Sequence, residues 1–286
     1  MDIEIYYFTG TGNSLHIAKE LQKRIPETKI LPIISLLDKN VIETTAETVG
    51  FIFPIYLTTL PIPVKRFLEK LKLNSTKYIF TVATRKGTFY TADIHIEQIL
   101  QKKGKSLDSF FILNMANNSP CGLVPKSFPG FQKMIANWLI EISAEQVRQL
   151  ESAVQQQLDL IEDIILTQAK YKSERSALQT LFKRFIALLM APAAKSSEKT
   201  IIPFYSDSTC TGCGACERIC PSGRIKILDR QPVWQKDILC YFCYACFNSC
   251  PEQAILLKDK YDFKNGRYLN RGVTTEEIAG QKLTNL

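Results

Sequence analysis

Two in-register copies of one cysteine pattern restrict what this chain can fold into more than any other feature. Of the nine cysteines, eight belong to these copies. The first copy contains Cys210, Cys213, Cys216 and Cys220, followed by Pro221. The second contains Cys240, Cys243, Cys246 and Cys250, followed by Pro251, so every position repeats at an offset of thirty residues. A fold that accommodates this segment must bring two equivalent sets of thiols to two equivalent sites.

The spacing within each copy is typical of [4Fe-4S] ligation. Three thiolates at successive three-residue steps can be presented by one tight turn to one face of a cubane, whereas the fourth lies too far along the chain to complete the same cube. In a C-x2-C-x2-C-x3-C-P run the fourth cysteine ligates the other cluster. We therefore assign one cluster to Cys210, Cys213, Cys216 and Cys250, and the other to Cys240, Cys243, Cys246 and Cys220.

Zinc and disulfides are the alternatives for these cysteines. Zinc takes four ligands per ion, so the eight cysteines suffice for two such sites. The third cysteine of each triplet, the closing Cys-Pro and the absence of histidine between the copies favour clusters instead. The odd cysteine count and a start without the basic residues of a secretory signal disfavour disulfides. The remaining cysteine, Cys121, is expected to be a buried small apolar residue.

The cysteine segment resembles the bacterial two-cluster ferredoxins over about sixty residues. The resemblance extends to a short apolar run after each Cys-Pro, residues 225–227 and 255–257, where that fold has strands. Small residues among the cysteines leave backbone N–H groups free to approach cluster sulfurs: Gly212, Gly214, Ala215 and Ala245. Hydrogen bonds and solvent exposure of this kind set a cluster's potential.

A second motif lies far from the cysteines. The apolar run at residues 3–8 is followed at once by Thr9-Gly10-Thr11-Gly12-Asn13-Ser14 and then by apolar residues at helical spacing. A strand, a hydroxyl- and glycine-rich turn and a helix form a layout that binds phosphate through N–H groups and hydroxyls. The run matches neither a Walker loop nor a dinucleotide fingerprint. An ordinary turn with a serine N-cap is the alternative.

This motif resembles the [ST]-x-[ST]-G-x-[ST] phosphate loop of flavodoxins. The resemblance implies FMN as the cofactor and a doubly wound α/β domain, a parallel sheet in the order 2-1-3-4-5 with the flavin at the carboxyl ends of the strands. Apolar patterning predicts its strands at residues 3–8, 29–34, 49–53, 78–84 and 110–115. Helices are predicted at residues 64–71 and 92–103 between them, an alternation that itself indicates this class.

The resemblance also implies which residues contact the flavin. Besides the phosphate loop, residues 9–14, the loops after the third and fourth strands supply Pro54, Ile55, Tyr56, Leu57, Thr84, Arg85 and Gly87. Tyr56, Phe89 and Tyr90 are candidates for stacking on the ring. Asn117, or its neighbour Asn118, is a candidate hydrogen-bond donor to the ring or to a substrate. Arg85 and Lys86 replace the acidic residues of typical flavodoxins and are expected to favour the anionic reduced flavin.

Four segments follow from these motifs. We predict a flavodoxin-like FMN domain at residues 1–142, a helical connector at 143–199, a small α+β two-[4Fe-4S] ferredoxin domain at 200–258 and a tail at 259–286. The connector begins with a capping box, Ser143-Ala-Glu-Gln146, before a long amphipathic helix at residues 143–169. A second amphipathic helix is predicted at residues 178–191.

Charge and composition limit the partners. The net charge is +8, and residues 168–199 hold seven Lys or Arg against two Glu. This basic segment is a solvated helix face or a docking surface for an acidic protein, and no nucleic-acid reading module accompanies it. No apolar run reaches the length of a membrane span. The composition predicts a cytoplasmic protein in a reducing compartment.

The two motifs together resemble the flavodoxin-ferredoxin fusion family of anaerobes. The resemblance implies electron transfer between the clusters and FMN, which couples one-electron to two-electron traffic, with a redox protein as partner. The alternative is an iron-sulfur flavoenzyme, an oxidoreductase that reduces a small organic acceptor above the flavin. A nicotinamide fingerprint is missing from the sequence, which makes direct oxidation of NAD(P)H the weaker form of the enzyme hypothesis. Oligomeric state does not follow from the sequence.

Overall fold

The fold was analysed in a computed structural model of the chain. The structure describes residues 2–87, 90–118, 143–172, 185–188, 203–258 and 267–283. Three sequence predictions lie wholly or mostly outside these ranges: Phe89 as a ring-stacking residue, the burial of Cys121, and the second connector helix, of which residues 185–188 are described as helical.

A parallel six-stranded sheet forms the larger part of the protein. Its strands are β1 (Ile3–Tyr7), β2 (Lys29–Pro32), β4 (Thr48–Pro54), β6 (Tyr78–Arg85), β7 (Ser109–Asn114) and the short β8 (Tyr171–Lys172). Their order is β2-β1-β4-β6-β7-β8. The first five strands reproduce the predicted 2-1-3-4-5 order. The first and last residue of each strand lie within two residues of the predicted positions. A minor parallel pair joins β3 (Ile42–Glu43) to β5 (Leu71–Lys72).

The helices flank this sheet as two contacting pairs. They are α1 (Asn13–Arg24), α2 (Ile62–Lys70), α3 (Ala92–Gln101) and α4 (Ala144–Thr167), and a 3-10 turn covers Ile34–Leu36. Helix α1 contacts α4, and α2 contacts α3. Central strand residues such as Phe51, Phe53 and Phe80 are fully buried. The pattern is that of a doubly wound α/β domain, as predicted.

Helix α4 belongs to the packing of this sheet. Ser143 accepts a hydrogen bond from the Gln146 backbone N–H and completes the predicted capping box. Leu158 and Ile161 of α4 lie in the same buried core as the sheet strands, and Arg24 of α1 donates hydrogen bonds to Asp159. Strand β8 then adds to the sheet next to β7. The sequence placed this helix in a connector, whereas its packing is typical of the last helix of the α/β domain.

The cysteine-rich segment forms a small α+β unit. Helices α5 (Ala215–Ile219) and α6 (Ala245–Ser249) each contain the third cysteine of one triplet and contact each other. Strands β10 (Ile225–Leu228) and β11 (Gln231–Trp234) form one antiparallel pair, and β9 (Phe204–Ser206) and β12 (Ile255–Leu257) form another. The two apolar runs after Cys-Pro are therefore strands, as expected, but each pairs with a segment that the pattern did not identify.

The tail after residue 266 packs against both the sheet and the cysteine-rich segment. It contains α7 (Thr275–Gly280), which begins with a capping box formed by Thr274 and Glu277. Val273 and Ile278 of the tail join the same hydrophobic core as the sheet, and so do Cys243 and Ala245 of the cysteine-rich segment. The three parts of the chain thus share one continuous core in the region where β1 ends.

Candidate functional site

The loop between β1 and α1 has the geometry of an anion site. Gly12, with φ of 97°, adopts a left-handed conformation that lets the chain enter α1. Thr9 Oγ1 accepts the Gly12 N–H at 3.0 Å. Among the described residues, no acceptor reaches the backbone N–H groups of the loop residues Gly10, Thr11, Asn13 and Ser14. Buried N–H groups are rarely left without a partner, and at a helix start they favour an anion.

Side chains from neighbouring strand ends hold this phosphate loop, residues 9–14. The Ser14 and Thr84 hydroxyls share a hydrogen bond at 3.0 Å. Asn13 Nδ2 donates to the Ala116 carbonyl at 3.1 Å, and Asn118 Nδ2 donates to Thr11 Oγ1. Thr9, Thr11 and Ser14 are each 1% exposed. The carboxyl ends of β6 and β7 therefore converge on the loop.

The two loops expected around a flavin ring lie side by side. Pro54 is opposite Thr84 in the register of β4 and β6, and the Ile55 N–H donates to the Thr84 carbonyl at 2.9 Å. After Ile55 the chain makes a turn in which Leu57 and Thr58 both have positive φ, 48° and 70°. A β-branched residue in this region is strained. Leu57 is 43% exposed at this turn.

The candidate ring-stacking residues already have partners. The Tyr56 ring packs edge-on against Phe8 with 6.2 Å between centroids, and its buried hydroxyl finds no hydrogen-bond partner among the described residues. Tyr90 stacks on Phe110, and the Arg85 guanidinium lies 4.8 Å from the Tyr90 ring centre. Burial lowers the pKa of Arg85. The flavin contacts expected of Tyr56, Tyr90, Arg85, Gly87 and Asn117 remain predictions.

The tail covers the phosphate loop, which no sequence motif indicated. Gln281 is fully buried, and its Nε2 donates to the Thr9 carbonyl at 3.0 Å while its Oε1 accepts the Thr9 N–H at 3.4 Å. The Asn270 N–H donates to the Thr11 carbonyl at 2.9 Å. A Cβ on Gly12 would lie 2.4 Å from Val273 Cγ2. In the sequence, Asn270 and Gln281 are carboxamides in a polar tail, and this composition does not predict their burial.

The eight cysteines of the two copies line two pockets. Cys210, Cys213, Cys216 and Cys250 surround what we call the first cysteine pocket, and Cys220, Cys240, Cys243 and Cys246 surround the second cysteine pocket. This is the division that the spacing predicts. All eight are free thiols. Among the described residues, no three His, Cys, Asp or Glu side chains converge on one point as a single metal ion requires. The thiols instead line the walls of the two pockets.

Burial controls the protonation of these thiols. It raises the pKa of Cys216 to about 11 and the pKa values of Cys243 and Cys246 further. Iron binds thiolates, so metal binding at these positions must displace protons. The pockets differ in exposure: Cys213 of the first is exposed, whereas Cys220, Cys243 and Cys246 of the second are each at most 8% exposed.

The second cysteine pocket meets the phosphate loop at Gly10. A Cβ built on Gly10 would lie 2.4 Å from the Tyr56 hydroxyl, 2.6 Å from the Cys243 carbonyl oxygen and 3.0 Å from Cys243 Cβ. Phe8 and Tyr241 pack edge to face nearby, with 6.4 Å between centroids. Asn248 of α6 donates to the Asn118 carbonyl at 2.8 Å. Only glycine permits this approach, so the two predicted cofactor sites adjoin each other.

Comparison with protein families identifies the cysteine-rich segment. A family model described as a 4Fe-4S dicluster domain matches residues 209–255, which include both cysteine copies. This segment is an iron-sulfur ferredoxin domain, and its general activity is electron transfer. No curated protein sequence matches the chain.

Solved structures similar to the larger domain include flavodoxin. The two-electron reduced flavodoxin of Megasphaera elsdenii is 17% identical over 39% of this chain and 85% of its own, with a TM-score of 0.31. Smu.1420 from Streptococcus mutans UA159 is 17% identical over 40% and 87%, with a TM-score of 0.32. Because these scores are low, the fold assignment rests on the strand order itself, which is that of flavodoxin-like folds.

The chain therefore joins a flavodoxin-like α/β fold to a 4Fe-4S dicluster domain, as the resemblance to flavodoxin-ferredoxin fusions predicts. None of the helices that the structure describes is both long and apolar enough to cross a bilayer.

Proposed function

We propose that this protein transfers electrons between two [4Fe-4S] clusters and one FMN within a single chain. The first cysteine pocket and the second cysteine pocket each hold a cluster, and the phosphate loop holds the FMN phosphate. Clusters exchange single electrons whereas FMN exchanges one or two, so together they couple the two kinds of redox traffic. A redox protein is the partner that such a carrier requires.

One observation carries this proposal: the contact of Cys243 with the phosphate loop at Gly10. A cysteine of one predicted cofactor site touches the loop of the other, so the protein part of the path between them is short. Covalent linkage of the two domains adds a high effective concentration.

The residues of the phosphate loop fit the FMN monoester. Four N–H groups of this loop at the start of α1 have no acceptor among the described residues, and the hydroxyls of Thr11 and Ser14 belong to the same loop. Asn118 and Thr84 orient those hydroxyls. Arg85, at the end of β6, places a cation beside the loop that would contact the ring, and this charge favours an anionic reduced flavin.

Anaerobic purification and cofactor analysis test the proposal. We expect about eight iron and eight sulfide atoms per chain, together with one FMN. The variant carrying Thr11→Ala and Ser14→Ala is expected to bind FMN more weakly by at least about 150-fold, with unchanged iron content. Two hydrogen bonds to a charged group contribute about 1.5–3 kcal/mol each, and about 1.4 kcal/mol corresponds to a factor of ten.

The matched control is Thr28→Ala, which removes a buried hydroxyl that has no hydrogen-bond partner among the described residues and lies away from the phosphate loop. It should bind FMN like the wild type. Wild-type protein that takes up no flavin, or a double variant that loses iron together with FMN, would contradict two separable cofactor sites.

Reduction of a small organic acceptor is the second candidate function. The exposed, strained turn at Leu57 and Thr58 lies beside the predicted ring position, where an acceptor would approach the flavin. Steady-state reduction of quinones or nitro compounds by dithionite-reduced protein should then depend on Leu57, and a Leu57→Ala variant with unchanged rates would refute this alternative.

A further inference from the structure

We propose that Arg224 and Tyr56 raise the reduction potential of the cluster in the second cysteine pocket above that of the cluster in the first. This inference rests on the proposed clusters and adds an order in which the two pockets accept electrons. Reduction adds one electron, and therefore one negative charge, to a site. Groups that supply positive charge or hydrogen bonds to the sulfurs stabilise the reduced state.

Arg224 is a buried cation on the wall of the second cysteine pocket. It is 3% exposed, and its Nε donates to the Gln235 carbonyl at 3.0 Å, which fixes the guanidinium. The same pocket wall carries Cys220 and Cys240, so the buried guanidinium shares one pocket with predicted ligand sulfurs.

The counter-charge of Arg224 is missing from the rest of the described chain. No carboxylate of the described residues forms an ion pair with it. An isolated buried charge is strongly unfavourable. Four thiolates around a cluster in the same pocket supply the negative charge that compensates it.

Tyr56 contributes a donor from the other domain. Its hydroxyl is buried and has no hydrogen-bond partner in the described part of the chain. It points to Gly10, where Cys243 is the other neighbour. A buried donor without an acceptor is costly, and Cys243, whose carbonyl oxygen and Cβ lie beside the same glycine, is the predicted ligand next to this hydroxyl. The hydroxyl dipole of the flavodoxin-like domain thus lies beside a ligand of the ferredoxin site, where it favours added negative charge.

The lining of the first cysteine pocket includes neither a buried cation nor a tyrosine. Its ligand Cys250 accepts a hydrogen bond at the sulfur from the backbone N–H of Ala254 at 3.3 Å. Of its lining residues, all of which the structure describes, the charged one is Glu252, an exposed carboxylate that disfavours added negative charge. Arg218 is nearby, but it is exposed and donates to the Cys213 carbonyl rather than to sulfur. Water screens such a charge more than a buried one.

Burial of the second cysteine pocket acts in the opposite direction, because desolvation disfavours the more negative reduced state. The same low dielectric, however, strengthens the attraction of Arg224. A full charge on the pocket wall, with no carboxylate of the described residues paired to it, outweighs a partial difference in exposure. The second cysteine pocket is therefore expected to accept the first electron.

A redox titration of the holoprotein with dithionite, followed by EPR, tests this order. We expect two one-electron steps in the wild type. Tyr56→Phe should make reduction in the upper step about tenfold less favourable, which is a fall of about 59 mV for a one-electron couple, and should leave the lower step in place. Arg224→Gln should lower the upper step further, whereas Arg224→Lys should preserve most of it.

Variants at the first cysteine pocket provide the reciprocal test. Glu252→Gln should raise the lower step alone. Tyr205→Phe removes the hydroxyl of a tyrosine that is 37% exposed in the same domain, and it is the matched control, with both potentials unchanged. If the Arg224→Gln variant does not load iron, the Tyr56→Phe variant alone tests the order of the two reduction steps.

Two outcomes overturn the inference: coincident steps in the wild type, or a Tyr56→Phe variant with full iron content whose upper step does not fall. Neither contradicts the proposed function, because the clusters are still present. Protein without clusters after anaerobic reconstitution contradicts the proposed function itself.

Discussion

The side chain of Gln281 makes two hydrogen bonds from the tail to Thr9 of the phosphate loop, and its removal gives a quantitative prediction. Its Nε2 donates to the Thr9 carbonyl at 3.0 Å and to the Ile278 carbonyl at 2.8 Å, and its Oε1 accepts the Thr9 N–H at 3.4 Å. Gln281→Ala deletes all three contacts. Because Thr9 is 1% exposed, water does not replace the lost partners in the closed structure.

The expected cost follows from these contacts. A net hydrogen bond contributes about 1 kcal/mol, and a buried group left without a partner costs about 1–3 kcal/mol. The Thr9 N–H and carbonyl both lose a partner, so local opening of the loop should become easier by about 3 kcal/mol. Since about 1.4 kcal/mol corresponds to a factor of ten, amide exchange in the phosphate loop should accelerate about 100-fold.

Hydrogen exchange followed by mass spectrometry on the anaerobic holoprotein measures this change. Peptides that cover residues 9–14 and 275–283 should exchange faster, whereas peptides from β6 should not. Gln149→Ala, which removes an exposed glutamine on α4, is the matched control and should match the wild type. Unchanged exchange in the loop of Gln281→Ala would refute the role of the tail as its cover.

Two further predictions concern the same region. Gly12→Ala should destabilise the fold by more than about 2 kcal/mol in urea unfolding, because φ is 97° and Val273 would lie 2.4 Å from the new Cβ. Gly104→Ala, also at positive φ but with nothing within 4 Å, should cost less than half as much, and equal costs would exclude the Val273 contact as the cause.

For Glu277, the hydrogen bond from Lys19 holds the pKa below its usual range. Its small contribution to the tail, below about 1 kcal/mol, is therefore complete above the unfolded pKa and is lost as pH falls through the folded value. Exchange protection of α7, corrected for the intrinsic rate, should drop in that acidic range for the wild type and stay flat for Glu277→Gln.

The strands of the sheet were predictable because they are buried on both faces, whereas their order was predicted from the resemblance to flavodoxins. Runs such as residues 49–53 and 78–84 are almost continuously apolar, as a central parallel strand requires. The cysteine spacing likewise places the thiols in two sets without any knowledge of the fold, since ligand spacing is a local property of the chain. Both predictions depend on patterns that lie within one short segment.

The cover over the phosphate loop was not predictable on the same basis. Asn270 and Gln281 are polar residues in a polar tail, and nothing in their neighbours distinguishes them from surface residues. Their burial depends on contacts with residues more than two hundred positions away. Asn118 was considered beside Asn117, but its contact with Thr11 depends on the position of β7 next to β6, which only the folded sheet defines.

The position of α4 shows that a helix can be predicted without its packing partner. Its boundaries and capping box follow from a 3.6-residue pattern, but that pattern shows only that one face is apolar. Arg24 donates to Asp159 and Glu162 across the α1–α4 contact, and these charges look like ordinary surface residues in the sequence. The partner of an amphipathic face is a tertiary property.

Gly10 connects the two halves of the proposed function. Its own N–H is one of the four for which the described part of the chain offers no acceptor, and its missing side chain is what admits the Cys243 carbonyl and the Tyr56 hydroxyl. One residue therefore belongs both to the anion loop and to the contact with the second cysteine pocket. Flavodoxin-like loops use glycine so that the backbone can approach a phosphate. Here the same residue also lets the cysteine-rich domain approach closely. This contact places the second cysteine pocket, which Arg224 lines, beside the phosphate loop.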